Sequence, residues 1–437
     1  MKLEKIPTTT TSTNSIQEHI RLKLTTLAPV HIGGRSTLGP NRFIPTDSGG
    51  AVVHEEKLFE VLYQKNAIGK YWQSVQDNNE AIKDFLHIAK ISPQDRYSAA
   101  AYRLDFYRDS HLNPSKIRPF LRNGENLAYL PGTAIKGAIR TALLYGLLRD
   151  LKVCNDKVWS DLIAQLTLIN LKELKINSAS VNPATKLRLI RKVLQNFDIT
   201  MPDGTQIRLD DGQCDDAPHR DILRAVSVSD SQPIGANLKL CQVQFVSEGG
   251  SPKGWHFSVV PNKTWPISVY LEALRENQQL EFEITTDRSI LTTLQATTCF
   301  TDFFSLEKYL QLFAKELLAF ELAFLKHIYN SSHDQQIQEM ITVYENIQSQ
   351  QPNLRLGWGC GAMGITILRL LMDDADMRIL DKPTIQTIQK YFDCFNKHMH
   401  KHGPDIKYFP KTRRFIVKDG CDLLMPLGWC KLERVTS

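Results

Sequence analysis

The chain has 437 residues, of which 42% are hydrophobic and 23% are charged, and its formal net charge is +6 at pH 7. This length favours two or three domains, and the composition excludes an intrinsically disordered protein. The modest positive charge permits an anionic partner without requiring one. None of the eight cysteines forms a CxxC pair, which argues against a zinc ribbon or a thioredoxin-type site and fits a reducing cytoplasm. No apolar run approaches the roughly 18 residues that span a bilayer.

The N-terminal part begins with a threonine-rich leader over residues 1–17, which lacks the apolar stretch of a secretory signal and is expected to be a disordered tail. Residues 19–34 then alternate apolar and polar side chains before reaching a proline and two glycines. This pattern predicts a strand that runs into a glycine turn. The chain from about 35 to 126 is less regular, with two short helical segments. Its length indicates an insertion in a simpler unit.

Residues 132–150 carry apolar side chains at helical spacing, which predicts an amphipathic helix. Thr133 is suited to be its N-cap. Helix N-termini favour negative charge, yet no acidic residue occurs before Asp150. Lys136 and Arg140 lie one turn apart instead. We predict that this helix binds a phosphate group, the other interpretation being a surface helix with solvated cations. The G-K-[ST] triplet of an NTPase loop is missing.

Strand-like segments follow between about residues 222 and 287, and a long apolar-rich helix then begins a second region near residue 305. The order of strand, insertion, helix and several strands fits an α+β fold with helices on one face of a sheet. We predict a first domain over residues 18–298 and a second, helix-rich domain over 299–437.

The segment "GWGCGAMG" (357–364) contains a G-x-G-x-x-G pattern. The strand before it is short and too little chain follows for a dinucleotide-binding sheet, so this fingerprint is weak. Closely spaced glycines still indicate a tight bend or a close approach of the backbone to a partner. Arg355 and Trp358 could offer RNA a cation and a stacking face, or form a core beneath a structural turn.

Two further groups suggest ligands. The basic segment 411–415 suits phosphate groups but equally suits solvent. Cys394, His398 and His402 have a spacing of four residues that could hold a metal ion. Cations near a helix C-terminus are favoured by the helix dipole in any case, and we predict neither a metal nor another cofactor.

Together these segments resemble a known family. "LTTLAPVHIGGR", "YLPGTAIKGAIRTALL", "VSVSDS", "VYLEAL…LEFEITTD" and "LRLGWGCGAMGIT" occur in the order seen in the RAMP proteins of CRISPR systems. With "PVHIGG", the long insertion and the closing "PKTRR…PLGW", the chain is most similar to the fifth Csm subunit of type III-A effector complexes, from about residue 18 to the end. The resemblance implies two ferredoxin-like, RRM-related domains with a long insertion (about 35–126) in the first.

The resemblance also implies a function. A cytoplasmic, non-catalytic subunit would cap the filament of Csm backbone subunits, bind the 3′ part of the crRNA, meet the target RNA and support crRNA maturation through recruited host nucleases. No membrane partner is expected. By motif, Asp230 would orient a loop. The RNA contacts expected from motif and local chemistry are His31, Gly33, Gly34, Arg35, Thr133, Lys136, Arg140, Arg355, Gly357, Gly359, Gly361, Lys411, Arg413 and Arg414.

Two enzymatic alternatives remain at the level of sequence. The chain could be a RAMP endoribonuclease that processes pre-crRNA, with His31 as the general base. This reaction needs an acid partner, and the sequence ties no second histidine or tyrosine to that turn. The chain could also be a nicotinamide-dependent oxidoreductase built on Gly359–Gly364, which the weak fingerprint disfavours.

Overall fold

The structure of this protein is a computed structural model. It describes residues 16–34, 36–46, 48–76, 82–109, 114, 116–154, 198–200, 206–208, 222–235, 237–249, 254–259, 264–293, 300–366, 368–371, 408 and 411–435.

Strands make up two large sheets and one small hairpin within these residues. The strands are β1 (Gln17–Thr26), β2 (Phe43–Pro45), β3 (Gly49–Val53), β4 (Ala100–Phe106), β5 (Ile117–Arg118), β6 (Asp198–Thr200), β7 (Gln206–Arg208), β8 (Val226–Val228), β9 (Leu238–Glu248), β10 (Trp255–Phe257), β11 (Ser268–Leu274), β12 (Gln279–Asp287), β13 (Leu354–Arg355), β14 (Thr412–Lys418), β15 (Asp422–Met425) and β16 (Trp429–Arg434).

Helices pack against these strands, and four of the helices lie in the insertion. The helices are α1 (Glu55–Gln64), α2 (Ile68–Gln76), α3 (Ile82–Ile88), α4 (Pro93–Ser98), α5 (Gly132–Cys154), α6 (Arg288–Thr293), α7 (Phe303–Ser332), α8 (Gln335–Ser349), α9 (Gly361–Gly364) and α10 (Leu368–Leu371). None of the helices in the described ranges is long and apolar enough to cross a membrane.

The first sheet has five strands in the order β13-β16-β1-β12-β8, with antiparallel neighbours. The predicted alternation of β1 is confirmed, since Leu22 and Leu24 are buried while Lys23 between them is only partly buried. β12 alternates in the same way, with Leu280 and Phe282 directed into the core. One face of this sheet is covered by α5 and α7, which contact β8 and β13. The predicted α+β class is therefore confirmed.

The second sheet has nine strands, built around β9. This strand pairs with β14, β11 and β10 in antiparallel fashion and with β4 in parallel. Because β16 pairs with β1 and β14 with β9, strands from both predicted domains share both sheets. The boundary between 298 and 299 stays a prediction.

The helical hairpin α7–α8 begins with an N-terminal capping motif. Asp302 accepts a hydrogen bond from the Ser305 N–H, and the Ser305 hydroxyl accepts one from the Asp302 N–H, which is a capping box. At the other end His333 adopts a left-handed conformation (φ 51°), and Asp334 caps α8. Fourteen side chains of α7 are buried, so the predicted long apolar-rich helix is confirmed.

The insertion has a small core of its own. Buried side chains from β2, β3, α1 and α3, together with Ile91 and Ala99 on either side of α4, pack into a cluster separate from the main core. The two short helices expected here correspond to α1 and α3, but the segment is more regular than predicted, since it also contains α2, α4 and four strands.

Candidate nucleic-acid interface

Three loops that are far apart in sequence meet at one end of the first sheet. The Trp358 N–H donates a hydrogen bond of 3.0 Å to the carbonyl oxygen of His31. The Gly428 N–H donates to the carbonyl of Pro29 at 2.8 Å, and the Leu356 N–H donates to the carbonyl of Gly428 at 2.7 Å. Backbone hydrogen bonds therefore join the first turn, the glycine loop and the loop before β16.

Several glycines are required by this junction. Gly357 has φ +86°, and a β-carbon on it would lie 2.2 Å from the carbonyl oxygen of His31. Gly428 has φ +87°, and its β-carbon would lie 2.2 Å from the carbonyl oxygen of Leu356. Both positions exclude other residues by conformation and by contact. The prediction that the glycines permit a close approach is confirmed, and the approaching group is the protein's own backbone.

The other predicted glycines differ in the space beside them. A β-carbon on Gly33 would lie 2.6 Å from His31 Nε2, and one on Gly359 would lie 2.1 Å from the β-carbon of Leu427. By contrast, no described atom lies within 4 Å of a β-carbon built on Gly34 or Gly361. Only these two predicted glycines leave room for an external group.

The imidazole of His31 is buried, with 3% of its surface exposed. Its Nδ1 lies 2.7 Å from the carbonyl oxygen of Glu272, so Nδ1 carries the proton and donates in the neutral ring. The pKa of His31 is lowered to about 4: burial lowers it most, the hydrogen bond to Glu272 opposes this effect, and the charge of Arg118 adds a smaller decrease. The expectation that this side chain contacts RNA is therefore not supported, because the ring is inside the protein.

A buried carboxylate that the sequence analysis missed holds the segment beside this turn. Glu272 has no exposed surface, and it accepts hydrogen bonds from the Tyr102 hydroxyl (2.6 Å), the Phe120 N–H (3.0 Å) and the Arg122 guanidinium (2.9 Å). The Arg122 guanidinium also lies 3.6 Å from the Tyr102 ring centre. Since Glu272 also offers its carbonyl to His31, this network fixes the first turn.

Two arginines lie over the ring of Trp358 in the glycine loop. The guanidinium carbons of Arg118 and Arg414 lie 5.0 and 4.7 Å from the centre of this ring. Arg414 also donates from Nη1 to the carbonyl oxygen of Trp358 at 2.9 Å, and Phe245 meets the indole edge-on at 6.2 Å. Arg118 could not be singled out from the sequence, because β5 is only two residues long and Trp358, over which Arg118 lies, is distant in the chain.

Most of the predicted basic contacts have internal partners instead. Arg355 and Arg413 both pair with Glu321, which is 3% exposed; the Arg355–Glu321 distance is 3.2 Å. Lys411 lies 3.2 Å from a carboxylate oxygen of Glu248. The geometry thus contradicts the expectation that Arg355 and Arg413 present their charge to RNA, because both guanidinium groups are buried against a carboxylate.

The start of α5 is built differently from the prediction. Gly132 is already helical and its N–H donates to Asp230 Oδ1 at 2.8 Å, so the exposed Thr133 lies inside the first turn and is not the N-cap. Asp230 supplies the acid that the helix itself lacks. We expected an RNA phosphate to accept hydrogen bonds from the first turn of α5. At the Gly132 N–H this expectation is wrong, because the acceptor is Asp230. The proposed role of Asp230 in orienting a loop fits this hydrogen bond.

The middle of α5 runs past the glycine loop. Ala138 and Ala142 line a small cavity together with Arg355 and Gly364. Lys136 and Arg140, which flank Ala138, are partly exposed on this helix, and their contact with RNA stays a prediction. Arg35 and the group Cys394, His398 and His402 lie outside the described residues. Within those residues, no three His, Cys, Asp or Glu side chains are placed to hold a metal ion.

Comparison with known proteins identifies a family and individual relatives. The family model that matches is the RAMP superfamily, over residues 23–363. A curated relative, the "CRISPR system Cms protein Csm5" of Streptococcus thermophilus, is 25% identical over 275 residues, which cover 61% of this chain and 63% of that protein. The match therefore spans less than two thirds of the relative's length.

Solved structures share the fold over nearly the whole chain. One is a chain in the cryo-EM structure of a Csm-crRNA-target RNA ternary complex in a type III-A CRISPR-Cas system, with a TM-score of 0.62, 21% identity, and coverage of 95% of this chain and 100% of that chain. Another is the crystal structure of T. onnurineus Csm5, with a TM-score of 0.56, 20% identity, and coverage of 94% and 99%. The family model covers well over half of the residues, and the protein therefore belongs to the RAMP superfamily.

Proposed function

We propose that this protein is the Csm5-type subunit of a type III-A CRISPR complex, and that it binds the 3′ part of a crRNA without cleaving it. The meeting of the first turn and the glycine loop through the His31–Trp358 hydrogen bond carries the proposal. These two segments bear the family resemblance, and the fold places them side by side. The similarity to a Csm5 and to a chain from a Csm-crRNA-target RNA complex supports the same assignment.

The proposal includes the finer architecture. Two ferredoxin-like domains, each contributing a glycine-containing loop to the shared junction, would cap the filament of Csm backbone subunits. The subunit would meet the target RNA there and recruit host nucleases for crRNA maturation. The open space at Gly34 and Gly361 and the cations on α5 are the features expected to follow the RNA backbone. Contacts with phosphates carry little sequence information, which suits a subunit that must accept any spacer.

The state of His31 supports a binding role over a catalytic one. A general base works best when its pKa is near the working pH and when it can reach the proton that it abstracts. The ring of His31 is buried, its Nδ1 is committed to Glu272, and its pKa is lowered to about 4, chiefly by burial. The endoribonuclease alternative therefore loses the base that the sequence offered it.

The first test is a binding experiment with the purified full-length chain and end-labelled crRNA, with and without EDTA, on native and denaturing gels. We expect a shift that weakens with salt and RNA that stays intact. The experiment is repeated with the Csm backbone subunit present, because a filament cap needs its filament. Defined cleavage products would favour the ribonuclease, and absence of binding under both conditions would reject the proposal.

Variants of α5 sharpen this test. Each lysine or arginine that contacts a phosphate of single-stranded RNA should change the slope of log affinity against log salt by about 0.7. We expect Lys136→Ala and Arg140→Ala to reduce the slope by about this amount for every RNA sequence tried. Lys70→Ala, at an exposed lysine of α2, serves as the matched control. An unchanged slope in the α5 variants would remove these two residues from the interface.

A nicotinamide cofactor is tested separately. A ligand that binds the folded state raises the melting temperature. A rise with NAD or NADP that is lost in a variant of the glycine loop would support the oxidoreductase alternative. We expect no rise, because β14, the first described strand after the glycine loop, pairs with β9 and β15 in antiparallel fashion, whereas a dinucleotide-binding unit continues into a parallel strand.

A further inference from the structure

Arg118 and Arg414 differ from the other arginines near the junction in how their charge is balanced. Arg122 pairs with Glu272 at 2.9 Å, and Arg355 pairs with Glu321 at 3.2 Å. Within the part of the chain that the structure describes, neither Arg118 nor Arg414 forms an ion pair with a carboxylate. Two guanidinium groups therefore lie over one indole ring, that of Trp358, without a carboxylate partner among the described residues.

The two arginines have different access to solvent. Arg414 is partly buried beneath the loop, where it donates to the carbonyl oxygen of Trp358 and lies 5.5 Å from the Phe245 ring centre. Burial lowers the pKa of Arg414, and the charges of Arg355 and Arg118 lower it further. Arg118 is exposed on β5. Arg414 thus fixes Trp358 from the buried side of the loop. Arg118 carries the charge that an external group can reach.

The location of Arg118 connects it to both motif segments. β5 leads directly into Phe120, whose N–H is held by Glu272 and whose ring meets the His31 ring at 6.2 Å. Trp358, on the other side, is bonded to the His31 carbonyl. Arg118 therefore stands between the first turn and the glycine loop, on a backbone fixed by a buried carboxylate.

We propose that Arg118 is an RNA-phosphate contact of this protein and that Trp358, held by Arg414, positions its guanidinium. This inference rests on the proposed function. A guanidinium that lies over an aromatic ring leaves the N–H groups along its planar edge free to bind two phosphate oxygens at once. The contact with the ring also limits the rotamers of the long side chain before RNA arrives, which reduces the entropy lost on binding.

A phosphate group fits this arrangement better than a nucleobase does. The indole ring already carries two guanidinium groups and meets Phe245 at its edge, so it is committed to the protein's own side chains. A nucleobase would compete with these side chains for the indole ring. A phosphate, by contrast, can approach Arg118 from solvent and would balance a charge that no described carboxylate balances.

The test compares Arg118→Gln with Arg103→Gln in the full-length chain, together with its backbone subunit, using single-stranded RNAs of two unrelated sequences. Arg103 is a matched control, because it is also exposed and also lies over an aromatic ring, but that ring is Tyr97, 4.3 Å away at its centre, and not Trp358. We expect Arg118→Gln to weaken binding of both RNAs by roughly tenfold and to reduce the salt slope by about 0.7. Arg103→Gln should change neither.

Two further variants separate charge from geometry. Arg118→Lys keeps the charge but loses the planar fork, so it should restore the salt slope and only part of the affinity. Trp358→Leu should lower the affinity and leave the slope near that of the wild type, because the charge of Arg118 remains. Melting temperatures close to the wild-type value exclude a folding defect as the cause.

The outcomes distinguish this inference from the proposed function. If the wild type binds RNA with a salt-dependent affinity and Arg118→Gln binds with the same affinity and slope, Arg118 is not a contact and the inference is overturned while the proposed function stands. If the wild type binds no RNA even beside the backbone subunit, both are overturned. Loss of binding for only one of the two RNAs would also reject a phosphate contact in favour of base recognition.

Discussion

The carbonyl oxygen of His31 accepts a hydrogen bond from the backbone N–H of Trp358 and lies 2.2 Å from the position that a β-carbon on Gly357 would occupy. The two strands that precede these loops, β1 and β13, are both paired with β16. The first turn and the glycine loop are therefore fixed relative to each other by the sheet and by direct backbone contact.

Alanine at Gly357 should disrupt this contact. The residue has φ +86° and ψ −168°, a region that is accessible essentially only to glycine and costs other residues about 1–3 kcal/mol. The collision with the His31 carbonyl adds to this cost, since backbone cannot move as a side chain does. We expect Gly357→Ala to lower the free energy of unfolding by more than about 3 kcal/mol in urea denaturation, or to prevent folding.

Gly361→Ala is the matched control for this variant. Gly361 has φ +67° and ψ −179°, a similarly strained conformation, but no described atom lies within 4 Å of its β-carbon position. It should show the conformational cost of about 1–3 kcal/mol without the collision. Equal losses in the two variants would show that the approach of His31 to Gly357 contributes little.

The buried imidazole of His31 should make stability depend on pH. The pKa of His31 is lowered to about 4 in the folded protein from its ordinary 6.5. Between these values the unfolded chain binds the proton more strongly, so stability is fully present above about 6.5 and falls as the pH is lowered towards 4. The share of this one group is roughly 3 kcal/mol.

His31→Asn removes this titration and keeps a donor for the Glu272 carbonyl. The free energy of unfolding is measured by urea denaturation between pH 4 and 7 for both proteins, and the difference between them should shrink as the pH falls. His256→Asn, at an exposed histidine, controls for loss of an imidazole. A constant difference across this range would mean that His31 is not buried as a neutral ring.

Glu321 should be indispensable to the core. It is the described carboxylate that pairs with both Arg355 and Arg413, and Glu321→Gln would remove the negative charge that these two buried guanidinium groups share. Removing one partner of a buried ionic group costs about 3–5 kcal/mol. Glu345→Gln, which breaks the exposed pair with Lys326, should cost less than about 1 kcal/mol by the same measurement. Similar costs for the two would show that water reaches Glu321.

What the sequence could and could not predict follows from the range of the interactions concerned. The strand β1 and the helices α5 and α7 were predictable, because periodic burial is a local pattern that appears in consecutive residues. The ion-pair partners of the basic residues were not predictable. Arg355 and Arg413 look like surface cations until the fold brings Glu321 between them, and nothing in their neighbouring residues indicates this partner.

The glycines show the same limit in another form. Their spacing at 357–364 correctly indicated a close approach, but a sequence cannot tell whether the approaching group is a ligand or the chain itself. At Gly357 it is the carbonyl of His31. Likewise, the lack of an acid in the first turns of α5 was visible, whereas its replacement by Asp230, which is 98 residues away in the chain, was not.

The packing of α5 against α7 can be tested within one helix. A β-carbon on Gly146 would lie 2.0 Å from a ring carbon of Tyr309, whose side chain is buried, whereas no described atom lies within 4 Å of a β-carbon on Gly137. Both glycines are helical with ordinary backbone angles, so alanine brings the same gain in helix propensity, about 0.5–1 kcal/mol. Gly137→Ala should therefore stabilise the protein by about this amount.

Gly146→Ala should instead destabilise it, because the ring of Tyr309 has to move in a packed core, and overpacking of this kind costs about 1–3 kcal/mol. Urea denaturation of both variants measures the difference, and the shared propensity gain cancels in it. The double variant Gly146→Ala with Tyr309→Leu makes room for the new methyl group and should recover part of the loss relative to Tyr309→Leu alone. If Gly146→Ala is as stable as Gly137→Ala, the helices are not in the close contact that brings α5 beside the core of the second region.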